Sequence, residues 1–334
     1  MQTPVSTFSQ APLPSTMRAA QMTAFGGPEV LRVNRVRVPT PRADEVLIRV
    51  AASSINGTDV HLREAKGLMR ATVRLPFTPG FDVAGVVAAR GPRVTAFAVG
   101  EPVYALLGHG GGGAAEYVRV QEDHIAIAPQ SVPLEVAAAV LLSGLTALQA
   151  LRGVAGVQAG QRVLVYGASG GIGAFAVQLG AHFGAQVTGV ARAEKLEFVR
   201  AQGAHAVHDR DAGLEALGGG WDVIFDAAPA LEFERVRAQL KPGGVLVSVR
   251  AVPGGRAELE GLIGRGGARW AGVRTAARSA DLAFLARLVD AGVLRVPVDK
   301  TFALEQIADA HRYAGGDEVR GKVVVCMEDA GVAM

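Results

Sequence analysis

Cysteine is nearly absent from this chain: Cys326 is the only one in 334 residues. A single thiol forms no internal disulfide and supplies no multi-cysteine zinc site, and such sparing use fits a reducing cytoplasm. Charge of one sign is also lacking, since 34 Lys and Arg stand against 31 Asp and Glu for a net +3. The arginines are scattered among acidic residues, so a nucleic-acid partner is not expected. No apolar run reaches the roughly 18 residues that a membrane span needs, and no membrane partner is expected either. Residues 1–16 hold three prolines and no charge. They lack the arginines of a mitochondrial presequence and the basic start and apolar core of a secretory signal, and read as a flexible tail. The remaining composition, 49% hydrophobic and 19% charged, is that of an ordinary globular protein long enough for two domains.

Glycine, by contrast, is abundant, and one cluster organises the chain. Val163-Leu164-Val165-Tyr166 reads as a buried parallel strand. Gly167-Ala168-Ser169-Gly170-Gly171-Ile172-Gly173 then turns the backbone into a helix that continues through Phe175, Val177 and Leu179. A helix opened this way points its first N–H groups and its positive dipole end at one place, where a phosphate binds. Gly170 leaves room for a diphosphate, Gly173 allows close helix–strand packing, and Ala168 stands where the usual GxGxxG motif has its first glycine. With 43 glycines, chance clusters are common. The context distinguishes this one, because a second strand, Gln186 to Val190, follows at the spacing of a βαβ unit.

The residue closing that second strand separates NAD from NADP, since a carboxylate there suits a ribose 2′-OH and repels a 2′-phosphate. Here it is Arg192, a planar, permanently charged fork, with Lys195 close behind. Glu194 is the opposing residue, and its alternative reading is an acidic first-turn position on the next helix. The reading is NADPH.

From Met17 to about Ala138, short strands alternate with proline and glycine turns, as in a mostly antiparallel, partly open barrel. Beyond Pro133 helices begin, and five or six strand–helix alternations follow, implying a doubly wound parallel sheet with its ligand at the carboxyl ends of the strands. The closing run Gly321-Lys322-Val323-Val324-Val325-Cys326 is a strand expected to rejoin the first domain. This is an α/β organisation: tail 1–16, barrel 17–138 and 294–334, dinucleotide-binding sheet 139–293.

Several phrases add a resemblance. Phe25-Gly26-Gly27-Pro28-Glu29-Val30-Leu31, Ser54-Ile55-Asn56 with Asp59, Leu75-Pro76-Phe77-Thr78-Pro79-Gly80 with Asp82 to Val87, Ala115-Glu116-Tyr117-Val118 and Ser143-Gly144-Leu145-Thr146-Ala147 stand in order with the glycine turn. Together they resemble the medium-chain dehydrogenase/reductase superfamily, in its zinc-free quinone oxidoreductase (zeta-crystallin-like) branch. The resemblance implies a GroES-like barrel carrying an inserted Rossmann domain, an active site between the two, and a homodimer formed through the edge strand near Arg269 to Val273. Zinc members carry an early cysteine and a Gly-His-Glu phrase; here those places read Asn56-Gly57-Thr58-Asp59 and Gly80-Phe81-Asp82, so no metal is expected.

The same resemblance places Thr146 near the nicotinamide and makes Asn56 and Asp59 a positioning pair. Two plainer readings stand beside these: Asp59 capping a short helix, and the Thr146 hydroxyl bonding back to its own helix. His61 stands where relatives tend to carry tyrosine and is a candidate proton donor. The cofactor set is Thr146, Ala168, Ser169, Gly170, Gly171, Ile172, Gly173, Arg192 and Lys195; the catalytic set is Asn56, Asp59 and His61. Arg63 to Arg74 is a basic segment near the substrate mouth or merely a solvated loop, and His109 lies in a glycine-rich run that reads as a lid. Lys322 and Arg320 lie within reach of the cofactor, with no spacing argument to fix them. The expected activity is NADPH-dependent reduction of quinones or of C=C bonds conjugated to a carbonyl, by a cytoplasmic, metal-free enzyme. The alternatives are an enoyl-thioester reductase and a non-catalytic NADPH-binding protein.

Overall fold

The computed structural model describes residues 13–65, 73–108, 110–250, 252–264 and 267–327. Two sheets carry most of the fold, and one long strand explains the first. Glu45–Ile55 is buried along nearly its whole length, and it is paired on both edges. One edge pairs antiparallel with Asp82–Arg90. The other is divided, with residues 45–49 opposite Tyr117–Gln121 and residues 52–55 opposite Lys322–Cys326. The end of the chain thereby becomes a central strand of a seven-stranded GroES-like sheet, extended by Val298–Ala303 on one side and by Pro102–Leu106 with Ile125–Ile127 on the other. The expected return of the last strand is observed.

Two details differ from the sequence reading. Thr16–Met22 and Leu31–Arg37 form a separate two-stranded sheet, so the first pair of strands packs beside the barrel sheet instead of entering it. Val298–Ala303 and Lys322–Cys326 run parallel, joined through the helix Ile307–Ala314, inside an otherwise antiparallel sheet. The first strand opens at Thr16, one residue inside the expected tail; residues 1–12 of that tail lie outside the described residues, as do His109 and residues 66–72 of the basic segment.

The second sheet is fully parallel and six-stranded, in the order Ala206–Asp209, Gln186–Ala191, Arg162–Tyr166, Trp221–Asp226, Leu240–Ser248, Arg269–Gly272. Numbered along the chain this is 3-2-1-4-5-6, the dinucleotide-binding order, whose switch point falls beside Arg162–Tyr166. Its strands are apolar on both faces because helices cover both, and residues such as Val163, Val165, Phe175 and Phe225 lie fully inside one continuous core. Among the described residues no helix is long and apolar enough to cross a membrane.

Candidate active site

A cleft of about 600 Å³ opens where the carboxyl ends of the parallel strands face the barrel. Its floor is the glycine turn. Gly167 takes φ +78°, and a Cβ there would stand 2.7 Å from that of Ala228. The left-handed residue of the turn is therefore Gly167, which frees position 168 for a fully buried alanine. Gly173 fills the packing part expected of it: an added Cβ would come within 2.1 Å of the Gly167 carbonyl oxygen. Gly170 faces open space, with only that same oxygen near at 3.5 Å. No side chain caps the helix Gly171–His182, so its first N–H groups are turned to the cleft without a protein acceptor of that kind. Backbone of this shape, open and positive, fits a dinucleotide diphosphate.

The opposite wall comes from the barrel and is built from buried side chains. Asn56 ends the long strand and precedes the helix Gly57–Arg63. Its Oδ1 accepts from Lys322 Nζ at 2.5 Å and from Ser143 Oγ at 3.5 Å. Its Nδ2 donates to Asp82 Oδ2 at 2.9 Å and to the Ser54 carbonyl at 3.3 Å. Asp82 accepts further from Ser54 Oγ at 2.5 Å and from the Leu142 N–H at 2.8 Å, and lies 3.6 Å from Lys322 Nζ. Lys322 and Asp82 are shielded almost wholly from solvent. Burial draws the Lys322 ammonium below its usual range, while the charges of Asp82 and Asp59 pull the other way. Asp59 is buried beside them, accepting from the Asn56 N–H at 2.9 Å and the Gly80 N–H at 2.8 Å. Desolvation overcomes those two bonds and lifts its carboxyl to about 6.

At the mouth, Arg192 meets Asp317 at 2.8 Å. Lys195 turns inward and donates to the Asp317 and Val319 carbonyls, the latter at 2.8 Å. Arg210 also lines this end of the cleft, whereas Glu194 is exposed outside its lining.

The structure gathers most of the sequence candidates at one place. Asn56, His61, Thr146, Ser169, Gly170, Gly171, Ile172, Arg192 and Lys195 all line the cleft. Asp59, Ala168 and Gly173 lie beneath its surface and shape it from inside. Asp59 reaches back to the N–H that precedes its own helix, as the capping reading has it. Thr146 Oγ1 bonds back to the Leu142 carbonyl at 2.6 Å while also meeting Thr275 Oγ1 at 2.6 Å. Asn56 uses both ends of its amide within the protein, so it organises the wall instead of offering a free amide to a ligand. Sequence reasoning passed over Asp82, Ser143 and Thr275, and left Lys322 without a place. Lys322 and Asp82 stood in quoted phrases, but their pairing joins strands 240 residues apart, which no local pattern encodes. Among the described residues no three His, Cys, Asp or Glu side chains converge as metal ligands would. At the second place where zinc relatives carry ligands, the Gly80-Phe81-Asp82 phrase, Phe81 is packed in the apolar core and Asp82 is held by Ser54, Asn56 and Lys322.

A GroES-like barrel, a 3-2-1-4-5-6 parallel sheet and a glycine turn facing both across one cleft define an oxidoreductase of the medium-chain dehydrogenase/reductase class. Two family descriptions match, the alcohol dehydrogenase GroES-like domain over residues 42–130 and zinc-binding dehydrogenase over residues 197–325. The chain is 32% identical over 326 residues to a chloroplast envelope quinone oxidoreductase homolog of Arabidopsis thaliana, covering 92% of this chain and 98% of the relative. It is 32% identical over 335 residues to an NADPH-dependent alkenal/one oxidoreductase of the same plant, covering 96% and 82%. The solved quinone oxidoreductase of Coxiella burnetii superposes with a TM-score of 0.88 at 29% identity, over 94% of this chain and all of that one. The chain belongs to the medium-chain dehydrogenase/reductase superfamily, in its quinone oxidoreductase branch, a family of nicotinamide-dependent oxidoreductases.

Proposed function

We propose that this protein is an NADPH-dependent, metal-free reductase of quinones or of C=C bonds conjugated to a carbonyl. The observation that carries the reading is the uncapped glycine-turn helix opening into a cleft whose mouth holds Arg192. NADPH, when bound, supplies the hydride. Gly171 and Ile172 would hold its diphosphate with backbone N–H groups, beside Gly170, whose missing side chain leaves room for it, and Arg192 would take the 2′-phosphate by its planar fork. Thr146, whose hydroxyl meets that of Thr275, would lie beside the nicotinamide ring.

Negative charge develops on the carbonyl oxygen as the β-carbon accepts the hydride. Lys322 provides a buried positive charge on that wall, oriented by Asn56 and Asp82, and acts there as a preorganised electrostatic partner. His61, exposed on the cleft lining, would deliver the proton. Similarity to relatives named for quinones and for alkenals and enones supports this substrate range.

We further propose the domain limits given above, a cytoplasmic location, and a homodimer through the Arg269–Gly272 edge of the parallel sheet. Beside that edge Ile263 is 68% exposed and Leu262 52%, an apolar surface suited to a second copy. Light scattering of wild type and Ile263→Glu reads this directly, a dimer turned monomer being the expected result.

The central test is calorimetry of purified protein with NADPH and NADH, followed by NADPH oxidation with a 1,4-quinone and with an enone. Uptake of neither dinucleotide would refute the reading. His61→Phe is expected to depress turnover while NADPH affinity holds, and metal analysis of the active enzyme is expected to find no stoichiometric zinc.

A further inference from the structure

Both cations nearest the end of the second parallel strand are already committed to one short segment. Residues 315–321 lie between the helix Ile307–Ala314 and the last strand, and Gly316, Asp317, Val319 and Gly321 of this segment line the cleft. Lys195 fixes its backbone through the Asp317 and Val319 carbonyls. Arg192 Nη2 meets the Asp317 carboxylate at 2.8 Å. Among the described residues, that carboxylate is the one anion bonded to Arg192. It is also the more exposed partner, its side chain 80% accessible against 29% for Arg192. A guanidinium N–H engaged by a carboxylate is not free for a phosphate oxygen in the same place. Arg192 Nη2 is thus engaged from within by a group of the same charge sign as the ligand it is suited to read.

We propose that Asp317 is a specificity-determining residue: its carboxylate competes with a nucleotide 2′-phosphate for Arg192 and so narrows the preference for NADPH over NADH. The inference rests on the NADPH reading above. A cofactor without the 2′-phosphate leaves the Arg192–Asp317 pair intact, whereas one that carries it competes with the carboxylate for Nη2 and is repelled by its charge. The carboxylate's exposure makes its displacement easy, and Lys195 keeps the segment in place because its acceptors are backbone oxygens.

The experiment measures dissociation constants for NADPH and NADH by calorimetry on wild type, Asp317→Asn, Arg192→Ala and the double variant. Asp317→Asn is expected to shift the NADPH/NADH affinity ratio about fivefold towards NADPH, the upper range for one exposed ion pair. In the Arg192→Ala background the same change is expected to leave the ratio where it was, so the coupling is assigned to this pair. An unchanged ratio in Asp317→Asn, or an equal shift with and without Arg192, overturns the proposal while the functional reading stands. Wild type binding neither dinucleotide overturns both. Asp317→Ala, which leaves no oxygen to bond Arg192, must move the ratio in the same direction as Asp317→Asn.

Discussion

The two walls of the cleft solve opposite problems with opposite materials. The wall on the parallel sheet is nearly all backbone: glycines at 167, 170, 171 and 173 remove side chains, and the helix that opens at Gly171 has no side-chain cap on its first N–H groups. The wall on the barrel is nearly all side chain, with Ser54, Asn56, Asp82 and Lys322 bonded to one another and hidden from solvent. At Gly167 and Gly173 the first kind of wall tolerates nothing added, and the second tolerates nothing taken away. Buried ions without partners are costly, whereas a missing Cβ costs only backbone entropy.

Removing Lys322 is the strongest way to test that contrast. Lys322→Met keeps the stem but strands Asp82 as a buried carboxylate, and a loss of about 3–5 kcal/mol is expected in denaturant unfolding. Adding Asp82→Asn should recover part of it, and no recovery would show that the two charges do not depend on each other. On the other wall, Gly173→Ala drives a Cβ to 2.1 Å from the Gly167 oxygen, and about 1–3 kcal/mol of destabilisation is expected.

The pH response of Asp59 comes next. Its carboxyl is raised to about 6 from 3.8, so the protonated form is the one the fold favours. That contribution is fully present below about pH 3.8 and is lost as pH rises through about 6. Relative to Asp59→Asn, wild type should lose up to about 1.4 kcal/mol per pH unit across that window. Parallel stability curves for the two proteins would remove Asp59 from this account. The smallest effect is expected at Gly170→Ala, where the added Cβ meets only one atom at 3.5 Å. Stability should stay within about 0.5 kcal/mol, as for a surface change, while NADPH affinity falls. Equal losses of stability at Gly170→Ala and Gly173→Ala would erase the distinction between bare and packed glycines.

How much of this was legible in the sequence follows the same division. The backbone wall is written in one stretch, from Val163 to Ala174, because a turn and the helix it opens are local events. Even there the resolution was limited: nothing in the letters said that the left-handed residue is Gly167, which is what admits Ala168. The barrel wall appears only in fragments. Asn56 and Asp59 stood out through a phrase, yet what Asn56 bonds to was unreadable, since Lys322 Nζ lies 266 positions away. Strand existence was legible from alternation, while pairing was not. Leu31–Arg37 reads like any barrel strand, and only long-range packing sets it apart with Thr16–Met22.

The position of Lys322 also bears on how the molecule comes into being. Gly321, in a left-handed conformation at φ +86°, hands the chain from the glycine turn to the last barrel strand, its N–H bonded to the Ser169 carbonyl. During synthesis the six parallel strands have all left the ribosome while the barrel still waits for its central ribbon. A chain halted ahead of residue 322 therefore holds all six strands of the parallel sheet but a barrel wall in which Asn56 and Asp82 still lack their buried cation.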